Sequence, residues 1–150
     1  MMNTEVKVQN FRRWVLWTGI FNIVAYSPLV CPFTLKQFFN VSNKLSQAFG
    51  LGGMELTIPQ NINNLLMINL LGVFVIFFGI WLVIASFDIA NRAWFVFYDG
   101  LLRILVFFFF LYFVIFNNAS VVLIGFGTID LIFGSIYMYY IFSIQRLRIK

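Results

Sequence analysis

Four apolar stretches divide the chain: Trp14–Cys31, Ile62–Phe87, Ala93–Phe116 and Ser120–Phe142. Each approaches or reaches the roughly 20 residues that a helix needs to cross the hydrocarbon of a bilayer. Polar residues gather between the stretches, and two of the connections are short, Asp88–Arg92 and Asn117–Ala119. Short connections force the second, third and fourth stretches into consecutive antiparallel hairpins. The pattern therefore predicts an all-α fold, a polytopic membrane four-helix bundle in which residues 1–150 form a single domain.

The remaining segment, Pro32–Asn61, is long enough to carry structure of its own. Leu35, Phe38, Phe39, Leu45, Ala48 and Phe49 recur at a roughly helical period, with Lys36, Gln37, Asn43, Lys44 and Gln47 largely between them. That periodicity predicts a short amphipathic helix on the membrane surface or folded over the mouth of the bundle; a partly ordered loop is the alternative. Gly50, Gly52 and Gly53 end any such helix, and Pro59 prepares entry into the second span.

Composition agrees with the pattern. With 62% hydrophobic and only 10% charged residues, the chain cannot present a wetted surface on all sides, as a soluble domain must. The net charge of +5 sets orientation rather than pointing to nucleic acid. Lys7, Arg12, Arg13, Arg92, Arg146, Arg148 and Lys150 fall on one side of the predicted bundle, and only Lys36 and Lys44 on the other. An excess of Lys and Arg marks the cytoplasmic side, so both termini face the cytoplasm and Pro32–Asn61 faces outward. Trp14, Trp17, Trp81, Trp94 and the tyrosines near Tyr139 suit interfacial anchors.

Several chemistries are excluded. The chain has no His, and Cys31 is its single Cys, so it forms no intrachain disulfide, no His- or multi-Cys metal site and no Ser/His or Cys/His catalytic arrangement. Cys31 reads as a small packing residue. The first span lacks a small-residue cleavage site and is followed by Pro28 and Pro32, which fits an uncleaved span better than a signal peptide. Two glycosylation sequons, at Asn40 and Asn118, read as chance matches. No cofactor is named by any motif.

Charge inside the apolar stretches is the exception. Arg103 and Asp130 each sit near the middle of a span, where an ionised side chain costs about 2.5–3.5 kcal/mol on insertion scales. At a rise of about 1.5 Å per residue, each lies about 16 Å from the end at which its span begins. Across the hairpin joined at Asn118, Arg103 falls level with Phe133, within a turn of Asp130, which predicts an Arg–carboxylate pair. Asp99, four residues before Arg103, shares its face and makes a triad. Two carboxylates for one guanidinium leave a surplus negative charge, to be met by a proton, by water or by a cation or ligand. Gly127, Asp130, Gly134 and Tyr137 form one stripe of the fourth span; Asn69, Gly72 and Gly79 line the second, and Thr18 and Asn22 the first. Asp99, Arg103, Asp130, Asn22, Asn69 and Tyr137 are thus the candidate ligand-binding residues, with no catalytic or metal-binding residue among them. Asp88 and Arg92, also four apart, suit an exposed pair at the cytoplasmic border.

Four spans, a long first outer loop, tight later connections, Tyr98-Asp99-Gly100-Leu101-Leu102-Arg103 in span three and an acid in span four resemble the DoxX-like superfamily of small bacterial membrane proteins, and its BphX-like branch. The resemblance implies a compact four-helix bundle in the bacterial inner membrane. It also implies a link, in some members, to quinone- or redox-associated complexes.

Four roles follow as expectations. The first is binding of an amphipathic molecule, a lipid or quinone-like compound, with its polar group at the Arg/Asp cluster. The second is proton- or ion-coupled transport, for which a homodimer would supply the repeat that one chain lacks. The third is an accessory subunit of a larger membrane complex, and the fourth an enzyme using the carboxylates as acid and base. No nucleophile accompanies the carboxylates, so a non-enzymatic role is favoured. A buried pair that only fixes helix register is the structural alternative to all four. Membrane lipids are the expected surroundings, with no nucleic-acid partner.

Overall fold

The computed structural model describes residues 4–148, and side chains within 5–144. Arg146, Arg148 and Lys150, part of the orientation argument, lie outside the described side chains. The elements are α1 (Thr4–Tyr26), a 3₁₀ turn (Ser27–Val30), α2 (Pro32–Ala48), α3 (Ile62–Phe87), α4 (Ile89–Asn117) and α5 (Val122–Arg148). No strand occurs among the described residues.

Helices α3, α4 and α5 are each long and apolar enough to cross a membrane. The first apolar stretch is not the unbroken span the sequence suggested. Lys7, Arg12 and Arg13 occupy the early turns of α1, and Pro28 enters just after its end, where the missing N–H favours a break. The apolar part of α1, from Trp14 to Tyr26, covers only about 20 Å. Together with α2, across a bend of 109°, it makes the fourth candidate span. Cys31 is extended at that bend, and Pro32 opens α2 at a position where its missing N–H costs nothing.

Helix α2 is the predicted amphipathic helix, not a loop. Leu35 and Ser42 are buried, and Phe38 stacks on Phe126 of α5 with ring centroids 5.6 Å apart. Lys36, Gln37, Asn40 and Lys44 are exposed. The segment that follows is pinned at both sides. Asn43 mimics a strand neighbour, donating to the Leu56 carbonyl and accepting from the Leu56 N–H, both at 2.9 Å. Gly52 and Met54 exchange backbone hydrogen bonds with Val121 and Asn118 at the α4–α5 turn. Gly53 has φ +93° and lies so close to Ala119 that a side chain would collide with its carbonyl. Asn118 closes α4 in the left-handed conformation, φ 52°.

The long helices associate as two tight pairs. Helix α1 meets α3 where Gly19 faces Gly79: a Cβ on Gly79 would lie 2.8 Å from the Gly19 carbonyl oxygen. Helix α4 meets α5 where a Cβ on Gly134 would lie 2.6 Å from the Gly100 carbonyl oxygen. Small residues let backbones touch at both crossings. Between the pairs, Asp88 alone separates α3 from α4, and these helices meet near that end through Phe78, Trp81 and Phe95. The core, Phe11, Val15, Leu82, Ala85, Ile89, Val96, Tyr137 and Ile141, lies at the same end.

The Asp88–Arg92 pair expected at this turn does not form. Arg92 Nη1 donates to the Ile84 carbonyl at 2.7 Å, and Asp88 accepts from the Asn91 amide at 3.1 Å. The unsatisfied carbonyls at the end of α3 compete for the guanidinium, and the cation also suits the negative end of the helix dipole.

The outer surface is apolar. Phe74, Phe77, Phe108, Phe109 and Phe116 are more than half exposed, and α4 buries only 17% of its most apolar window.

Candidate functional site

The hairpin geometry that places Arg103 opposite Asp130 follows from the turn at Asn118: residues equidistant from it come level. Arg103 Nη1 donates to Asp130 Oδ1 at 2.5 Å, and Nε donates to Asp99 Oδ2 at 2.7 Å. The guanidinium carbon stands 5.8 Å from the centre of the Phe133 ring, the residue predicted to be level with it. All three charged side chains are buried, Asp99 at 6%, Arg103 at 5% and Asp130 at 9% exposure. A guanidinium shared by two carboxylates at such burial is compensated by hydrogen bonds as well as by charge, and these bonds are the strong kind.

The triad forms one wall of a cavity of about 280 Å³. Asn22 and Tyr26 of α1 contribute a second wall. The rim is apolar: Leu71, Val75 and Phe78 on α3 face Leu102, Val106 and Phe109 on α4. Leu71, Phe78, Leu102 and Phe109 are exposed on the outside of the molecule, so the cavity opens sideways between α3 and α4, midway along both. Two other concavities, one beside Phe11 and Ile89 and one beside Trp17 and Phe133, contain no ionisable side chain.

Four of the six residues singled out from the sequence come together here: Asp99, Arg103, Asp130 and Asn22. Asn22 is 3% exposed, and its amide oxygen has no hydrogen-bond partner among the described residues. An orphan acceptor at such burial costs about 1–3 kcal/mol.

Two others stand elsewhere. Asn69 does not line the cavity; its amide donates to the Leu29 carbonyl at 2.6 Å and so ties α3 to the 3₁₀ turn. The turn leaves carbonyls without helical partners, and Asn69 satisfies one of them. Tyr137 is fully buried in the core, edge-on to Phe11 at 6.2 Å, and its ring packs over Gly100 rather than into the cavity. Its hydroxyl has no partner among the described residues. Tyr26 is the polar lining residue that the sequence did not single out. It lies four residues beyond Asn22, on the same helical face, and that spacing was the available signal.

Comparison of the chain with protein-family models, with curated proteins and with solved structures gives no match.

Proposed function

We propose that this protein is a four-pass integral membrane protein, with both termini on the cytoplasmic side of a bacterial inner membrane. On this reading it binds an amphipathic molecule in the cavity between α3 and α4. The membrane reading rests on the outer surface. In water each exposed phenylalanine would forgo about 1.5–3 kcal/mol of burial, whereas in lipid it is already in its preferred solvent. The basic residues Lys7, Arg12, Arg13 and Arg92 at one end support the orientation. The resemblance to DoxX-like proteins is in keeping with the same architecture.

One observation carries the binding reading: a single cavity joins a buried ion triad to an exposed apolar rim. A molecule with a polar end and an apolar body would satisfy both, its polar end at Arg103, Asp99, Asp130 and Asn22 and its body among Leu71, Phe78, Leu102 and Phe109. Intramembrane ionisable groups commonly mark such sites. The surplus carboxylate of the triad favours a second reading, proton- or ion-coupled transport through the same cluster.

The test is mass spectrometry of small molecules that co-purify with the protein in mild detergent, beside Arg103→Met and Asp130→Asn variants that retain helical content. A lipid or other amphiphile held by the parent and lost from both variants is the expected result. Retention of the same molecule by both variants would assign the triad a purely structural role.

A further inference from the structure

We propose that the polar end of the bound molecule is a cationic hydrogen-bond donor, namely the ammonium group of a lipophilic amine. This rests on the binding reading above and narrows it to one chemical class.

Three observations on the cavity wall agree. Asp99 and Asp130 share the one guanidinium of Arg103, so with all three groups ionised no net positive charge is left to attract a carboxylate or phosphate, and a cation is needed to balance the second carboxylate. Lys36 and Lys44 stand on α2, and neither they nor any cation other than Arg103 lines the cavity. The carboxylate oxygens not bound to Arg103, Oδ1 of Asp99 and Oδ2 of Asp130, are acceptors. The amide oxygen of Asn22, buried and without a partner, is a third. An ammonium group offers three donors and a positive charge. A quinone carbonyl can accept from the remaining N–H groups of Arg103 but leaves these oxygens unmatched, and a fatty acid adds a third negative charge.

The rim suits the remainder of such a molecule. An alkyl chain leaving the ammonium passes Val75, Val106 and Phe110 and reaches the apolar outer surface at Leu71 and Phe109. Phe78 and Phe110, which also line the cavity, add apolar contact for the chain.

The test uses the full chain in lipid discs of zwitterionic phospholipid, with empty discs as background, and radiolabelled dodecylamine, dodecanol and dodecanoate as probes of equal chain length. Saturable dodecylamine binding at least about tenfold tighter than dodecanol, with dodecanoate at background, is expected. Asp99→Asn is expected to remove about tenfold of the amine affinity and to weaken dodecanol binding by clearly less, because the alcohol loses a hydrogen bond but no charge pairing. Asn22→Leu removes an acceptor that supports nothing else, so amine affinity falls while the thermal midpoint does not. Binding of dodecanol or dodecanoate as tight as the amine would overturn the amine assignment and leave an amphiphile site standing. Amine binding that survives both substitutions would overturn it too. Failure of all three probes to bind above empty discs would overturn the amphiphile site itself.

Discussion

Arg103 reaches across the α4–α5 hairpin to Asp130, Nη1 to Oδ1 at 2.5 Å, while its Nε holds Asp99 one turn earlier on its own helix. The same guanidinium thus fixes a side-chain rotamer within α4 and the register of α4 against α5. Losing it would expose two carboxylates to one another in a buried site.

Arg103→Met should therefore cost about 3–5 kcal/mol of stability, because uncompensated buried charge is far more costly than a missing attraction. Replacing all three groups together, Asp99→Leu, Arg103→Met and Asp130→Leu, should recover most of that loss. Unfolding in detergent, followed by tryptophan fluorescence, compares the two. A triple variant as unstable as the single one would show that the triad supports packing in a way its charges alone do not explain.

The glycine crossings make a sharper test of packing. Gly79→Val places a side chain against the Gly19 carbonyl, a backbone group that cannot move aside; a loss of about 1–3 kcal/mol is expected. Gly125→Ala meets nothing within 4 Å and should raise stability by up to about 1 kcal/mol through helix propensity. A thermal midpoint for Gly79→Val no lower than that of the parent would refute the assignment of Gly79 as a crossing point.

Asn43→Leu removes both hydrogen bonds to Leu56 and leaves its backbone without a partner, for a cost of about 1–3 kcal/mol. The effect should be local. Hydrogen exchange at the Leu56 amide should accelerate while amides in the middle of α4 keep their protection, and uniform acceleration would instead make this clamp a determinant of the whole bundle.

Orientation is open to labelling. Cys31 is the single cysteine, so a Cys31→Ser background gives a blank. A membrane-impermeant maleimide applied to intact cells should modify Lys44→Cys on α2, and should modify Asn91→Cys at the α3–α4 turn only after permeabilisation. The opposite pattern would invert the topology.

Much of the site was legible because one short turn converts distance along the chain into depth. Counting outward from Asn118 sets Arg103 level with Phe133, and the guanidinium lies over that ring. The amphipathic period of Leu35, Phe38 and Phe39 gave α2 for the same reason: it reports a face, and this face has something to pack on. Hydropathy reports residue types and not the path of a helix axis, so the break at Ser27–Val30 and the bend at Cys31 were hidden inside an apolar run. Face arithmetic also cannot say which neighbour a polar group will choose. Asn69 has the right spacing for a cavity residue, yet the unpartnered Leu29 carbonyl took its amide. Nor does any sequence pattern show that the glycine crossings draw α1 to α3 and α4 to α5, leaving α3 and α4 to part around a cavity.

Every ion pair of the triad closes within α4 and α5, two helices joined by the turn around Asn118. That hairpin supplies Arg103 with its own counter-charge: the guanidinium needs no other helix to find one. On the membrane reading, α4 and α5 can therefore leave the translocation machinery as one unit, with Arg103 already shielded.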